Sequence, residues 1–120
     1  MKLQIESQRL RIRIDEDELA FLLSGEAIEA STHFADAFAI GYVLATTADN
    51  RACLTGHVDG WKISLPHADV QALAARLPTR DGLNYTLEAK QEKHALELLF
   101  DVDVRDSARR FKSKSTETIP

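Results

Sequence analysis

The sequence predicts an α+β protein: a mainly antiparallel, curved sheet of about eight strands with two helices, in the order ββαββ-ββαββ. Three observations lead there. Apolar residues recur every second position in segment after segment, the period of a strand with one dry face. Two such segments, about fifty residues apart, run straight into a short amphipathic helix with start signals, Leu10–Ile14 into Asp15 and Trp61–Leu65 into Pro66. Polar turn residues separate neighbouring strands by short links, which favours antiparallel pairing. Two arrangements satisfy this pattern: one curved sheet, or two half-sheets related by a pseudo-twofold axis.

The elements follow in order. Leu3 and Ile5 alternate with Lys2, Gln4 and Glu6; Ser7 and Gln8 turn the chain; Leu10, Ile12 and Ile14 then alternate with Arg9, Arg11 and Arg13. This is an N-terminal hairpin. Asp15 can accept from the backbone N–H of Glu18 while the Glu18 carboxylate reaches back, and both acids favour the positive helix end. Leu19, Leu22 and Leu23 share one face of that helix, and Gly25 suits the left-handed position that ends it. In the third strand Ile28, Ala30, Thr32 and Phe34 form the dry side, opposite Glu29, Ser31 and His33. Phe38–Ala45 is apolar at nearly every position and reads as a central strand covered on both faces. A fifth strand over 52–58 meets Asp59-Gly60, a type I′ hairpin signal, with Trp61–Leu65 as partner. Pro66 fits a first helical position, and Val70, Leu73, Ala74 and Leu77 make the apolar stripe. Pro78, Asp81 and Gly82 break the chain before two last strands, Leu83–Ala89 and Leu96–Val104, joined by a charged loop over 90–94.

The balance of 44% apolar and 28% charged residues belongs to a globular chain able to build a core rather than to a disordered one. One domain over residues 1–104 is expected. Residues 105–120 form a basic tail with few apolar residues, for which disorder is expected: Arg105, Arg109, Arg110, Lys112 and Lys114 stand against Asp106 and Glu117. The tail is thus +3 and the body −7, within a net charge of −4. A net negative charge works against nucleic acid as the default partner, since that affinity rests on neutralising phosphates. No apolar run nears the roughly 20 residues of a bilayer span, and the start lacks the order of a signal peptide, so no membrane association and a cytoplasmic location are expected. Cys53 is the only cysteine, so no internal disulfide forms; without a helix start or positive cluster beside it, it reads as structural.

Chemistry-bearing motifs are sparse. His57-Val58-Asp59 places two metal-ligating types two apart on a strand, hence on one face; His67-Ala68-Asp69 repeats the motif on a helix, where such residues diverge. His33 and Asp36 would complete a zinc-like set only if distant segments met. There is no nucleophile elbow and no phosphate-cradling glycine loop, the glycines being scattered at 25, 41, 56, 60 and 82. Asp101 and Asp103 share a strand face and can pair across strands with Arg9, Arg11 and Arg13 if the first hairpin and last strand meet.

The segments Lys2-Leu3-Gln4-Ile5, Leu10-Arg11-Ile12-Arg13-Ile14, Glu18-Leu19 with Gly25, and Trp61-Lys62-Ile63-Ser64-Leu65-Pro66 resemble those of a family of small bacterial proteins known only as a domain of unknown function, over most of residues 2–100. The last strand departs from that family's ending, carrying Phe100-Asp101-Val102-Asp103-Val104 without a cysteine. The resemblance brings no catalytic, cofactor-binding or metal residue. The expectation is a non-enzymatic binding or protein-interaction module, working as a homodimer through a sheet face or edge and using no cofactor. The alternative is a small metal-assisted hydrolase built on His57, Asp59 and His33.

Overall fold

The computed structural model describes residues 1–104, so the expectation for the tail lies outside the described residues. Among them the chain forms eight strands and two α-helices: β1 (Lys2–Glu6), β2 (Arg9–Ile14), α1 (Glu16–Leu23), β3 (Ile28–Phe34), β4 (Phe38–Thr47), β5 (Cys53–His57), β6 (Gly60–Pro66), α2 (His67–Ala75), β7 (Leu83–Leu87) and β8 (Leu96–Val102). One 3-10 turn, Glu92–His94, interrupts the charged loop before β8.

The α+β class holds, and four of the six strand pairings are antiparallel, but the sheets are mixed rather than all antiparallel. Two four-stranded mixed sheets form, here called A and B, in the orders β1-β2-β8-β7 and β3-β4-β6-β5. In each, two antiparallel hairpins flank a central parallel pair, with Ile12 opposite Phe100 in sheet A and Leu44 opposite Ile63 in sheet B. Short links dictate the hairpins; the central pairs join segments from different halves of the chain, and no turn residue specifies them.

Alternation decides the core. Leu10, Ile12 and Ile14 from β2 and Leu98, Phe100 and Val102 from β8 meet Leu44 of β4 and Ile63 and Leu65 of β6 in one buried cluster. Leu19 and Leu22 of α1 and Val70 and Leu73 of α2 complete it, and the helices touch each other while α1 lies on β3 and β4. α1 is fastened at both ends. Asp15 accepts from the Glu18 N–H at 2.7 Å, and the Glu18 carboxylate accepts from the Asp15 N–H at 3.1 Å. The Glu18 carboxylate also takes the Met1 ammonium at 2.7 Å. At the other end Gly25 adopts φ +91°, with Gly25 N–H donating to Leu22 O and Glu26 N–H to Phe21 O, the two bonds of a Schellman motif.

Three local expectations need correction. The β5–β6 turn is Val58–Asp59, with His57 paired to Gly60, so Gly60 is a strand residue. The positive φ sits instead at Gly56, +105°, where any Cβ would strike the Gly60 carbonyl oxygen; backbone approach, not turn type, requires glycine there. β4 is central in sheet B, yet only its inner side is buried at Tyr42 and Leu44; Ala39, Gly41, Val43 and Ala45 on the outer side stay half-exposed because nothing among the described residues covers them. Pro66 caps α2 from just outside, with φ −56° and ψ 124°, rather than filling its first position.

Candidate functional site

Helix length positions the surface of interest. α1 and α2, of eight and nine residues, measure about 12 and 14 Å at 1.5 Å per residue, whereas the ten residues of β4 extend about 33 Å. The helices therefore run out before the strands do. The inner face of sheet B continues beyond its buried row as an apolar surface: Tyr42 packs against Trp61 with ring centroids 5.3 Å apart, and beyond them Phe34 and Phe38, paired across the β3–β4 hairpin, stack at 4.8 Å. Phe34 is 45% exposed, Phe38 58%, and Val58 at the neighbouring turn 71%. The backbone geometry at Gly56, opposite Trp61, brings the β5–β6 hairpin close together here.

A second concavity of about 870 Å³ lies between the free edges of β5 and β7, lined by residues that include Arg51, Cys53, Leu54, Tyr85, Leu87 and His94. The Tyr85 hydroxyl donates to Asp69 Oδ2 at 2.8 Å. Burial, reinforced by this acceptor and its charge, raises the Tyr85 hydroxyl well above its ordinary range. Both groups thereby tie α2 to sheet A.

The outer face of sheet A carries a charge ladder. Arg11 Nη2 reaches Asp101 Oδ2 at 2.6 Å and Arg13 Nε reaches Asp101 Oδ1 at 3.0 Å, so the first hairpin and last strand do meet. Burial alone would raise the Asp101 carboxyl, but hydrogen bonds and charge from Arg13 and Arg11 outweigh it and hold the group below the ordinary carboxylate value. Thr86 donates to Glu97 at 2.8 Å on the same sheet.

The histidine motifs are not gathered. His33 belongs to β3 and His57 to β5, the two opposite edges of sheet B, three strand spacings or about 14 Å apart. Asp59 has left the strand for the turn, and Asp36 lies in the other hairpin. The set His57, Asp59 and His33 is therefore not brought together as ligands of one ion. Among the described residues no group of three His, Cys, Asp or Glu side chains is placed to hold a metal. His67 and Asp69 have separate partners, Thr46 Oγ1 at 3.0 Å and Tyr85. Cys53 is exposed on the free edge of β5.

What the sequence expectation missed is the exposure of the Phe34–Phe38 pair: alternation assigned Phe34 to a dry side, and the apolar run placed Phe38 in a strand covered on both faces. The signal was present: helical stripes of eight or nine residues are too short to roof a ten-residue strand. No helix among the described residues is long and apolar enough to cross a membrane. No curated protein matches the chain. The model of a family of unknown function, DUF7009, matches residues 1–108, and the chain belongs to that family.

Proposed function

We propose that this protein is a non-enzymatic interaction module that works as a homodimer, joined through the apolar end of sheet B. The carrying observation is the stacked, exposed Phe34–Phe38 pair beside Val58. Taking about 200 Å² for a whole phenylalanine and about 150 Å² for a valine, the exposed apolar area here is roughly 300 Å², at the lower end of the size range of patches that are functional on monomers. It is somewhat over a third of the roughly 800 Å² that each partner of a standard interface buries, leaving the remainder to the flanking strands. A second copy suits it because a twofold interface sets a surface against itself, apolar centre on apolar centre, with Asp36 and Asp59 in the two adjoining turns. The free edge of β3 lies alongside, open to backbone pairing.

Sedimentation equilibrium tests this on the full chain. Burying the exposed part of Phe38, about 120 Å², is worth about 3 kcal/mol at 25 cal/mol/Å². Phe38→Asp should therefore weaken a dimer on the order of 100-fold or more, whereas Ile5→Asp, at a more exposed residue on sheet A, should leave it intact. A wild-type chain that stays monomeric at its highest soluble concentration rejects the proposal, as does a dimer indifferent to Phe38→Asp.

Two further readings accompany this one. Exchanging β1 with β5, β2 with β6, β3 with β7 and β4 with β8 turns the order of one sheet into that of the other, which supports descent of both halves from one ββαββ unit. A tandem of two first halves should then fold cooperatively, and a chain that stays unfolded counts against it. A cytoplasmic location agrees with a fold that uses no disulfide, and fractionation of the source cell checks it.

A further inference from the structure

We propose that the basic segment over residues 105–120 docks on its own chain, in the acidic-rimmed apolar groove between α1 and β3. The groove measures about 330 Å³ and is lined by Asp17, Glu18, Phe21, Ala27, Ile28 and Glu29. Its floor is Phe21, Ala27 and Ile28, with Phe21 an exposed large apolar side chain. Asp17 and Phe21 stand four apart on α1, one above the other on one helix face. The lining carries three carboxylates and no cation; Glu18 already holds the Met1 ammonium, which leaves Asp17 and Glu29, both exposed, to face an incoming charge.

The last described residues, Asp103 and Val104, lie next to Thr79 and Arg80, and Asp103 is tied to the strand that leads into α1. The Asp103 N–H donates to Ile14 O at 2.8 Å, one residue before the Asp15 cap of α1. From Val104 the segment Arg109-Arg110-Phe111-Lys112 lies five to eight residues onward, a reach of about 16–26 Å at 3.3 Å per residue. α1 is only about 12 Å long, so every part of its groove is within range. The chemistry matches the position. Phe111 is an aromatic ring set among Arg109, Arg110 and Lys112, and the groove is an apolar floor between carboxylates. With +3 on the tail and −7 on the rest, attachment to the body gives the basic groups a high local concentration of acids without a second molecule.

Thermolysin cleavage before Phe111 in the full chain reads the docking. At low salt the site should be cut about tenfold more slowly than in a free peptide of residues 105–120, the size expected for a few surface ion pairs and one partly covered ring. The protection should fall away at about 0.5 M salt, where such pairs are screened. Asp17→Lys with Glu29→Lys should abolish it, and combining these with Arg109→Glu and Lys112→Glu should restore it. Asp17 and Glu29 are exposed and belong to neither the core nor the capping box, and far-ultraviolet circular dichroism verifies that each variant stays folded. Cleavage as fast as in the free peptide, protection indifferent to the charge reversals, or protection that rises with protein concentration would each overturn docking within one chain.

Discussion

Replacing Asp101 by Asn isolates the cross-strand charge cluster. The substitution keeps shape and burial while removing the charge that binds Arg11 Nη2 at 2.6 Å and Arg13 Nε at 3.0 Å. Two arginine pairs of this kind in a sealed interior would cost several kcal/mol to break. Here the carboxylate side chain is 16% exposed, but the arginines keep 41% and 39% of theirs in water, which screens the pairs and lowers the cost of losing them. The expected cost is about 1 kcal/mol at neutral pH, at the upper end for surface pairs. The pH dependence has a definite sign. A carboxyl held below 3.8 in the folded state contributes stability that is complete above that value and disappears as pH falls through the lower, folded-state value. Urea unfolding of both proteins should therefore give a constant gap between pH 7 and about pH 5 that closes in stronger acid. Equal stabilities at pH 7, or a gap unchanged at the lowest pH where both proteins fold, would refute the account.

Other expectations follow from the same structure. Phe100 is fully buried where both sheets and the helices meet, so Phe100→Ala should cost about 3–5 kcal/mol in urea unfolding. Gly56→Ala, which combines positive φ with a clash on Gly60, should cost more than Gly25→Ala, whose added Cβ meets nothing within 4 Å; thermal unfolding of the pair ranks them. Tyr85→Phe should cost about 1 kcal/mol for the lost bond to Asp69. Because the folded state raises the Tyr85 hydroxyl, its stabilisation is present below the ordinary value of 10.0 and declines above it, so Tyr85→Phe should flatten the alkaline fall in stability.

Much of the fold was legible wherever the cause was local. Asp15 with Glu18 and Gly25 specify the ends of α1 through hydrogen bonds spanning a few residues, and alternation in β2, β6 and β8 names the core. The choice of neighbours across the sheet centre was not legible. β2 and β8 pair over about ninety residues, and apolar alternation is the same whichever way a strand runs. Asp59-Gly60 misled for a related reason: the dipeptide marks a turn well, yet the close approach of Gly56 to the opposite backbone, a contact between strands, moved the turn by one residue. The Arg11–Arg13–Asp101 cluster needed only the proximity that β2–β8 pairing supplies. The exposed phenylalanines required a comparison of lengths between helix and strand, information that no single segment contains.

The parallel joints at the middle of both sheets also govern when the molecule can come into being. Sheet A lacks a centre until β8, the last strand, is available to lie along β2, the second. During synthesis the amino-terminal hairpin therefore waits, its greasy underside without a neighbour, while most of the polypeptide is still being made. Closure across so large a loop is slow compared with folding between adjacent segments. A ribosome that stalls before Leu96 releases a chain with every hairpin but one and no keel.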